Sequence, residues 1–326
     1  MRAFVTGGTG FIGRALARLL RSRGDEVVAL ARSPRAAGGL EAMGCELVEG
    51  GMDAPEAIEG AARGADAVFH LAGVYRIGIR RSERPAMYEA NVTGTERVLD
   101  AASAVGVPRI VHVSTINVFG NTRGRVVDET YRRDPADGFL SYYDETKYLA
   151  HRVAEDRAAS DAPVVIVQPG GVYGPGDHSE IGNMIQRTAT GRLPIRTFPE
   201  LGMNMLHVDD AAEGILLAHD RGQAGRSYVV GGEIIRAGEL IDRVARLAGR
   251  RPPRWTLPPS LARMGIPFGP LTSRLMGTPP NLREAIRAAH GVTYWATDAK
   301  ARRELGYAPR DLDTGLRQTL AALQAT

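Results

Sequence analysis

The stretch Thr6-Gly7-Gly8-Thr9-Gly10-Phe11-Ile12-Gly13 decides the fold. It follows a short apolar run, Ala3–Thr6, and opens a helical pattern over Phe11–Arg23. Gly7, Gly10 and Gly13 fit a G-x-x-G-x-x-G spacing. Glycines there permit a tight turn, let backbone N–H groups approach a pyrophosphate, and let the helix pack close to a sheet. The glycines alone are a weak signal. The strand before and the helix after give them weight. Gly7, Thr9, Gly10, Phe11, Ile12 and Gly13 are therefore candidate dinucleotide contacts.

Outward from this turn, short apolar runs alternate with helical patterns. Glu26–Ala31, Glu46–Val48, Ala67–Leu71, Ile110–Val113 and Val164–Val167 read as strands. Phe11–Arg23, Arg35–Met43, Pro55–Ala62, Arg84–Val105 and Tyr143–Ala159 read as helices. Such alternation predicts an α/β fold, a doubly wound parallel sheet covered on both faces. Asp209–His219 reads as one more helix and Tyr228–Gly231 as one more strand. From about Pro169, glycine and proline pairs punctuate the chain and suggest loops and short helices rather than a regular sheet. The expected division is a dinucleotide-binding domain, residues 1–168 plus about 205–231. Residues 169–204 plus 232–326 would form a smaller C-terminal substrate lobe over the site.

Composition agrees with a globular chain. Of 326 residues, 44% are hydrophobic and 24% charged, which excludes disorder, collagen and coiled coil. No apolar run approaches the roughly 18 residues of a membrane span. The net charge of +4 is spread among interspersed acids and bases, so neither nucleic acid nor a membrane is expected as partner. Cys45 is the only cysteine, which reads as a small buried apolar residue. It permits no intrachain disulfide. With a glycine motif entered at once and no room for a signal peptide, a cytoplasmic location is expected. No metal-ligand spacing is found.

Arg32 and Ser33 lie at the end of the second strand, nineteen residues past Gly13. A carboxylate there would hold the ribose hydroxyls of NAD. An arginine instead pairs with a 2′-phosphate, so NADP(H) is favoured over NAD(H). Arg35 lies close enough to assist, though a solvated role suits it better.

Tyr143 and Lys147 are four apart on a helical pattern, hence on one face. A nearby ammonium favours the phenolate of a tyrosine whose pKa is ordinarily about 10. That makes a general acid–base group beside a cofactor, which a hydride transfer needs. With the glycine turn, the pair resembles the extended short-chain dehydrogenase/reductase family of the NAD-dependent epimerase/dehydratase type. The resemblance covers nearly the whole chain. His70-Leu71-Ala72-Gly73 resembles the strand end that lines the pyrophosphate and nicotinamide ribose in that family, which implicates Leu71, Ala72 and Gly73. Asn91-Val92-Thr93-Gly94-Thr95 is similar to its helix behind the active site. In Val113-Ser114-Thr115-Ile116-Asn117-Val118-Phe119-Gly120, Thr115 falls on the catalytic Ser/Thr position, with Ser114 second. Pro169 and Val172 belong to a segment that borders the nicotinamide in the family. In His207-Val208-Asp209-Asp210, one aspartate is expected to cap the next helix, and His207 to be packed. The resemblance implies Thr115, Tyr143 and Lys147 as the catalytic triad, with Tyr143 and Lys147 also on the cofactor.

Two departures matter. Gly51 stands where the family often carries an aspartate that meets the adenine amine, and Asp53 is its candidate substitute. Asn204 stands near where sugar-nucleotide members carry an arginine, and an amide cannot pair with a diphosphate as a cation does. This leans toward the branch resembling dihydroflavonol 4-reductases. The expected activity is an NADP(H)-dependent oxidoreductase interconverting a small-molecule ketone or aldehyde and an alcohol. The alternatives are a sugar or nucleotide-sugar epimerase/dehydratase that oxidises its substrate transiently with bound NAD(P), and a non-catalytic NADP-sensing protein. Val74–Met87, His178–Thr197 and Trp255–Met276 are the expected lid segments. Met264, Phe268 and Leu271 are expected in the core. A homodimer through the helix bearing Tyr143 is allowed by the resemblance.

Overall fold

The computed structural model describes residues 1–33, 37–269, 274 and 279–324. Its centre is a seven-stranded sheet in the order β3-β2-β1-β4-β5-β6-β9. The strands are β1 (Arg2–Thr6), β2 (Glu26–Ala31), β3 (Glu46–Glu49), β4 (Ala67–His70), β5 (Ile110–Val113), β6 (Val164–Pro169) and β9 (Ser227–Val230). Every pairing is parallel. β1, β4, β5 and β6 are buried almost throughout, as continuous apolar runs between two helical layers must be.

Helices α1 (Phe11–Ser22) and α8 (Val208–Arg221) cover one face. Leu16 and Leu20 of α1 and Ile215 of α8 pack there on Val5, Val111 and Tyr228. The other face carries α3 (Pro55–Ala62), α5 (Gly94–Ala104) and α6 (Tyr142–Ala159), with Ile58, Leu99 and Ala154 against Phe4, Val68 and Ile166. The helical pattern over Arg84–Val105 resolves into α4 (Arg84–Tyr88), a π-helical turn (Glu89–Thr93) and α5. Cys45 is buried and free, its thiol pushed up by burial. The expected helix Arg35–Met43 is reduced to α2 (Gly38–Glu41), and Arg35 lies outside the described residues.

The texture after Pro169 does contain a sheet, contrary to expectation. β7 (Gly171–Tyr173), β8 (Gly202–His207) and β10 (Glu233–Arg236) form it, β8 lying parallel to β7 and antiparallel to β10. Met205–His207, expected in the nucleotide domain, therefore pair in this second sheet. Around it pack α7 (Glu180–Ala189), α9 (Ala237–Leu247) and a C-terminal helix, Leu312–Gln324, through Ile185, Leu240, Val244 and Leu316. α10 (Pro259–Met264) and α11 (Leu282–Ala289) lie beside it; α12 (Ala299–Leu305) returns to the main sheet and Leu312–Gln324 is α13. Met264 is 70% exposed and so is not core. The Phe268 side chain and Leu271 lie outside the described residues.

Strand order reverses between β1 and β4. A crevice opens at the carboxyl ends of strands beside such a switch point, because the flanking crossovers depart in opposite directions. The cleft lies there.

Candidate active site

The cleft has a volume of about 1330 Å³. Gly7, Thr9, Gly10, Phe11, Ile12 and Gly13 form its floor at one end. Gly7 has φ +74°, and a Cβ there would lie 2.6 Å from the Ala72 nitrogen. A Cβ on Gly13 would run into the carbonyl oxygen of Gly7. The turn is thus compressed against both β4 and its own helix. Gly10 caps α1 without a side-chain bond, and no acid stands in the first turn. The free N–H groups at this helix start face the cleft, and a pyrophosphate would satisfy them and the helix dipole together. The residues present fit a dinucleotide.

Leu71, Gly73, Pro169 and Val172 also line the cleft. Ala72 sits just behind, its N–H directed at the Thr6 hydroxyl at 3.4 Å. Arg32 and Asp53 are exposed beyond the cleft wall. Arg32 has no ion-pair partner among the described residues. The space a Gly51 side chain would fill is taken by the Asp53 carboxylate, with the Arg32 Cγ 3.4 Å from the same point. The Asp53 carboxylate thereby lies directly beside Gly51.

Thr115, Tyr143 and Lys147 converge at the other end. Thr115 follows β5 by two residues and caps the 3-10 turn Ile116–Phe119, its hydroxyl accepting from the Asn117 N–H at 3.2 Å. Thr115 stands near enough to the Tyr143 hydroxyl to act as its hydrogen-bond partner and favour its ionised form. Ser114, the other candidate, instead shares a hydrogen bond with His151 Nδ1 at 3.0 Å. Tyr143 stands one residue into α6, which Ser141 caps through the Asp144 N–H. Burial first, then neighbouring Tyr75 and Asp144, push the Tyr143 hydroxyl well above its ordinary value. Tyr75 lies edge-on to Tyr143, ring centroids 4.8 Å apart.

Lys147 is buried and donates to the Val113 carbonyl at 3.1 Å. Burial pushes its pKa down to about 8. It does not pair with Asp144 or Glu145 as a solvated helix lysine would. Behind it His70 and His112 lie with ring centroids 5.3 Å apart. Burial holds both imidazoles neutral, helped by the Lys147 charge, with His70 pushed down to about 3. The expected lowering of Tyr143 by Lys147 is not found: burial, Tyr75 and Asp144 push that hydroxyl up, and only Thr115 pulls it down.

Two residues enter the site unforeseen. Asn117 Nδ2 donates to Asp144 Oδ1 at 3.0 Å, and burial pushes that carboxyl up to about 6. The pair locks the Thr115 turn to α6. Asn91 has its side chain fully engaged: Oδ1 accepts from Val74 N–H at 2.6 Å, and Nδ2 donates to Val74 O and Thr146 Oγ1. It clamps the first lid segment to α6.

Asn204 is buried, its amide donating to Ala296 O and accepting from Gly232 N–H, both at 2.7 Å. His207, rather than an aspartate, caps α8, accepting from the Asp209 N–H at 3.3 Å. Asp209 pairs with Arg18 and Asp210 with Arg310. Residues of the first two lid segments border the cleft; among the described residues of Trp255–Met276, none does.

A family model described as NAD dependent epimerase/dehydratase family matches residues 3–231. The chain is 32% identical to a 2-alkyl-3-oxoalkanoate reductase of Stenotrophomonas maltophilia, over 100% of both chains. It is also 32% identical to the 4-hydroxy-2-methyl-3-oxo-4-farnesyl-3,4-dihydroquinoline-1-oxide ketoreductase of Stigmatella aurantiaca, over 95% of this chain and 92% of that one. Among solved structures, a dTDP-glucose 4,6-dehydratase of Streptomyces venezuelae with NAD bound superposes with TM-score 0.80 at 25% identity, covering 99% and 97% of the two chains. With its switch-point cleft and glycine turn, this chain belongs to the NAD-dependent epimerase/dehydratase family, the extended short-chain dehydrogenases/reductases. It is an NAD(P)-dependent oxidoreductase of that family.

Proposed function

We propose that the protein is an NADP(H)-dependent reductase of apolar ketones or aldehydes. The observation that carries this reading is the wall opposite the Tyr143–Thr115 pair. Ile181, Met184, Leu193, Ile195, Phe198, Leu201, Met203 and Ile241 line it. Cations that could hold a nucleotide diphosphate are mostly engaged or absent from it. Arg76 pairs with Glu83 at 2.9 Å and Arg196 with Asp242 at 2.6 Å. Arg80 and Arg192 do not line the cleft, and Arg187 alone of this group of lid arginines does. Burying a diphosphate with one fixed cation is costly. The reductase and ketoreductase relatives point the same way.

A bound reduced nicotinamide would supply the hydride. Thr115 holds the substrate oxygen beside Tyr143, and Tyr143, kept protonated by burial, gives its proton to that oxygen. Lys147 holds cofactor ribose and, as an ammonium, favours negative charge on Tyr143 as the proton leaves.

The test is a screen of ketones with NADPH consumption as readout, beside calorimetric titration of UDP and dTDP into the NADP-loaded protein. Stoichiometric NADPH oxidation by an apolar ketone, with no nucleotide binding, is expected. Micromolar UDP or dTDP binding would overturn the reading in favour of an epimerase or dehydratase.

The buried lysine sets a pH dependence. Lys147 is an ammonium below about pH 8 and neutral above it. kcat/KM for reduction should therefore fall as pH rises through that value. Lys147→Arg keeps the charge at every accessible pH. Its reduced activity should lack the alkaline limb; a limb that persists would assign the titration elsewhere.

A further inference from the structure

Between Asp242 and Glu284 the chain carries eight arginines and no acidic residue. Trp255, Leu261 and Met264 lie inside this run and are 77%, 53% and 70% exposed. Leu261 and Met264 are three apart on α10, hence on one helix face. Arg250, Arg251, Arg254 and Arg263 flank them along the chain, all exposed and without an ion-pair partner among the described residues. A soluble surface scatters apolar side chains singly among charges of both signs. This one carries large apolar groups in a stretch whose charges are all positive, the nearest carboxylate along the contacts being Asp242, which Arg196 already pairs.

The segment forms the outer skin of the substrate side of the cleft. Arg196 N–H donates to the Trp255 carbonyl and Leu257 N–H to the Arg196 carbonyl, both at 2.9 Å. Ile195 and Thr197, on either side of Arg196, line the cleft. α10 packs on α11, whose Ala285, Ala288 and Ala289 line it too.

We propose that this segment is a docking surface for an anionic lipid bilayer. The arginines sit at the headgroups, and Trp255, Leu261 and Met264 enter the acyl boundary. The sequence alone, with its small net charge, led to no membrane partner being expected. Exposure of the apolar side chains between these arginines changes that reading. Charge decides between occupants. A second copy docked by the same face would set arginines against arginines. Nucleic acid matches the charge, and Trp255 offers it one ring, but Leu261 and Met264 offer a base neither a ring nor a hydrogen bond. Among the described residues no helix is long and apolar enough to cross a membrane, so the contact is with its surface.

The test is flotation of the full-length protein with vesicles of phosphatidylcholine alone or mixed with phosphatidylglycerol. Binding is expected only to the mixed vesicles, and it should weaken as salt rises. Arg254→Gln with Arg263→Gln should weaken partition about 30-fold, at about fivefold for each arginine near an anionic surface. Brominated lipids should quench the fluorescence of Trp255, and Trp255→Phe should remove that quenching. Trp255→Ser with Met264→Ser should leave NADPH-linked turnover of a water-soluble ketone unchanged, which certifies the fold. Equal binding to both vesicle types, or partition that survives the arginine substitutions, would overturn the proposal. So would a concentration-dependent dimer, or a nucleic-acid complex without vesicle binding. Vesicle binding is read without turnover, so its failure is distinct from failure of the reductase reading.

Discussion

Tyr143→Phe should lower kcat by about 10²–10⁴-fold, the usual contribution of a positioned acid–base group. The substitution removes one oxygen and keeps the ring that packs edge-on against Tyr75. Tyr143 is only 8% exposed, so the ring also carries packing that a smaller residue would forfeit. NADPH affinity should hardly change, because the glycine turn and the start of α1 are untouched. The measurement is steady-state NADPH oxidation beside fluorescence titration of NADPH. Turnover near the parent value, or loss of cofactor binding, would reassign the acid, with Tyr142 examined next. Thr115→Val is the companion variant, retaining shape while removing the hydroxyl that faces Tyr143.

Arg32→Ala should weaken NADPH about 10- to 150-fold more than NADH, since a charge-assisted contact contributes about 1.5–3 kcal/mol. Arg32 follows β2 directly, is exposed, and pairs with no carboxylate among the described residues. A 2′-phosphate would be its first strong partner. Asp53 lies close enough that the two side chains share the space beside Gly51. Equal losses for both cofactors, or a parent enzyme that prefers NADH, would remove the argument. In that case Asp53 would be the group that selects the ribose.

The main sheet was legible because its strands are local signals. Glu26–Ala31 is apolar from Val27 onward and Ile110–Val113 apart from His112, and the structure gives each of them the bounds that the sequence suggests. The second sheet was not legible. β7 has three residues and β10 four. β8 holds a glycine and a buried asparagine that alternation cannot interpret. Strands this short exist through partners far along the chain, and their amide groups find each other only when the lobe packs. Asp144 escaped notice for a related reason. One residue past Tyr143 it belongs to a different helix face, and only the approach of the Thr115 turn supplies Asn117 as its partner. His207 took the cap expected of an aspartate because α8 begins at Val208, which puts Asp209 and Asp210 inside the first turn, where they pair with Arg18 and Arg310.

By itself the sequence determined the glycine turn, the parallel α/β order and the pairing of Tyr143 with Lys147 on one helix face. Each depends on spacing within a few residues, where backbone geometry alone dictates which groups lie together. Only the tertiary structure decided that Thr115, not Ser114, faces Tyr143, that Lys147 is stripped of water, and that Asp53 lies beside Gly51. It alone also left Trp255, Leu261 and Met264 uncovered among arginines. Those outcomes depend on what lies opposite a side chain after packing. Desolvation and long-range contact are properties of the assembled chain, and a periodicity or a motif carries neither.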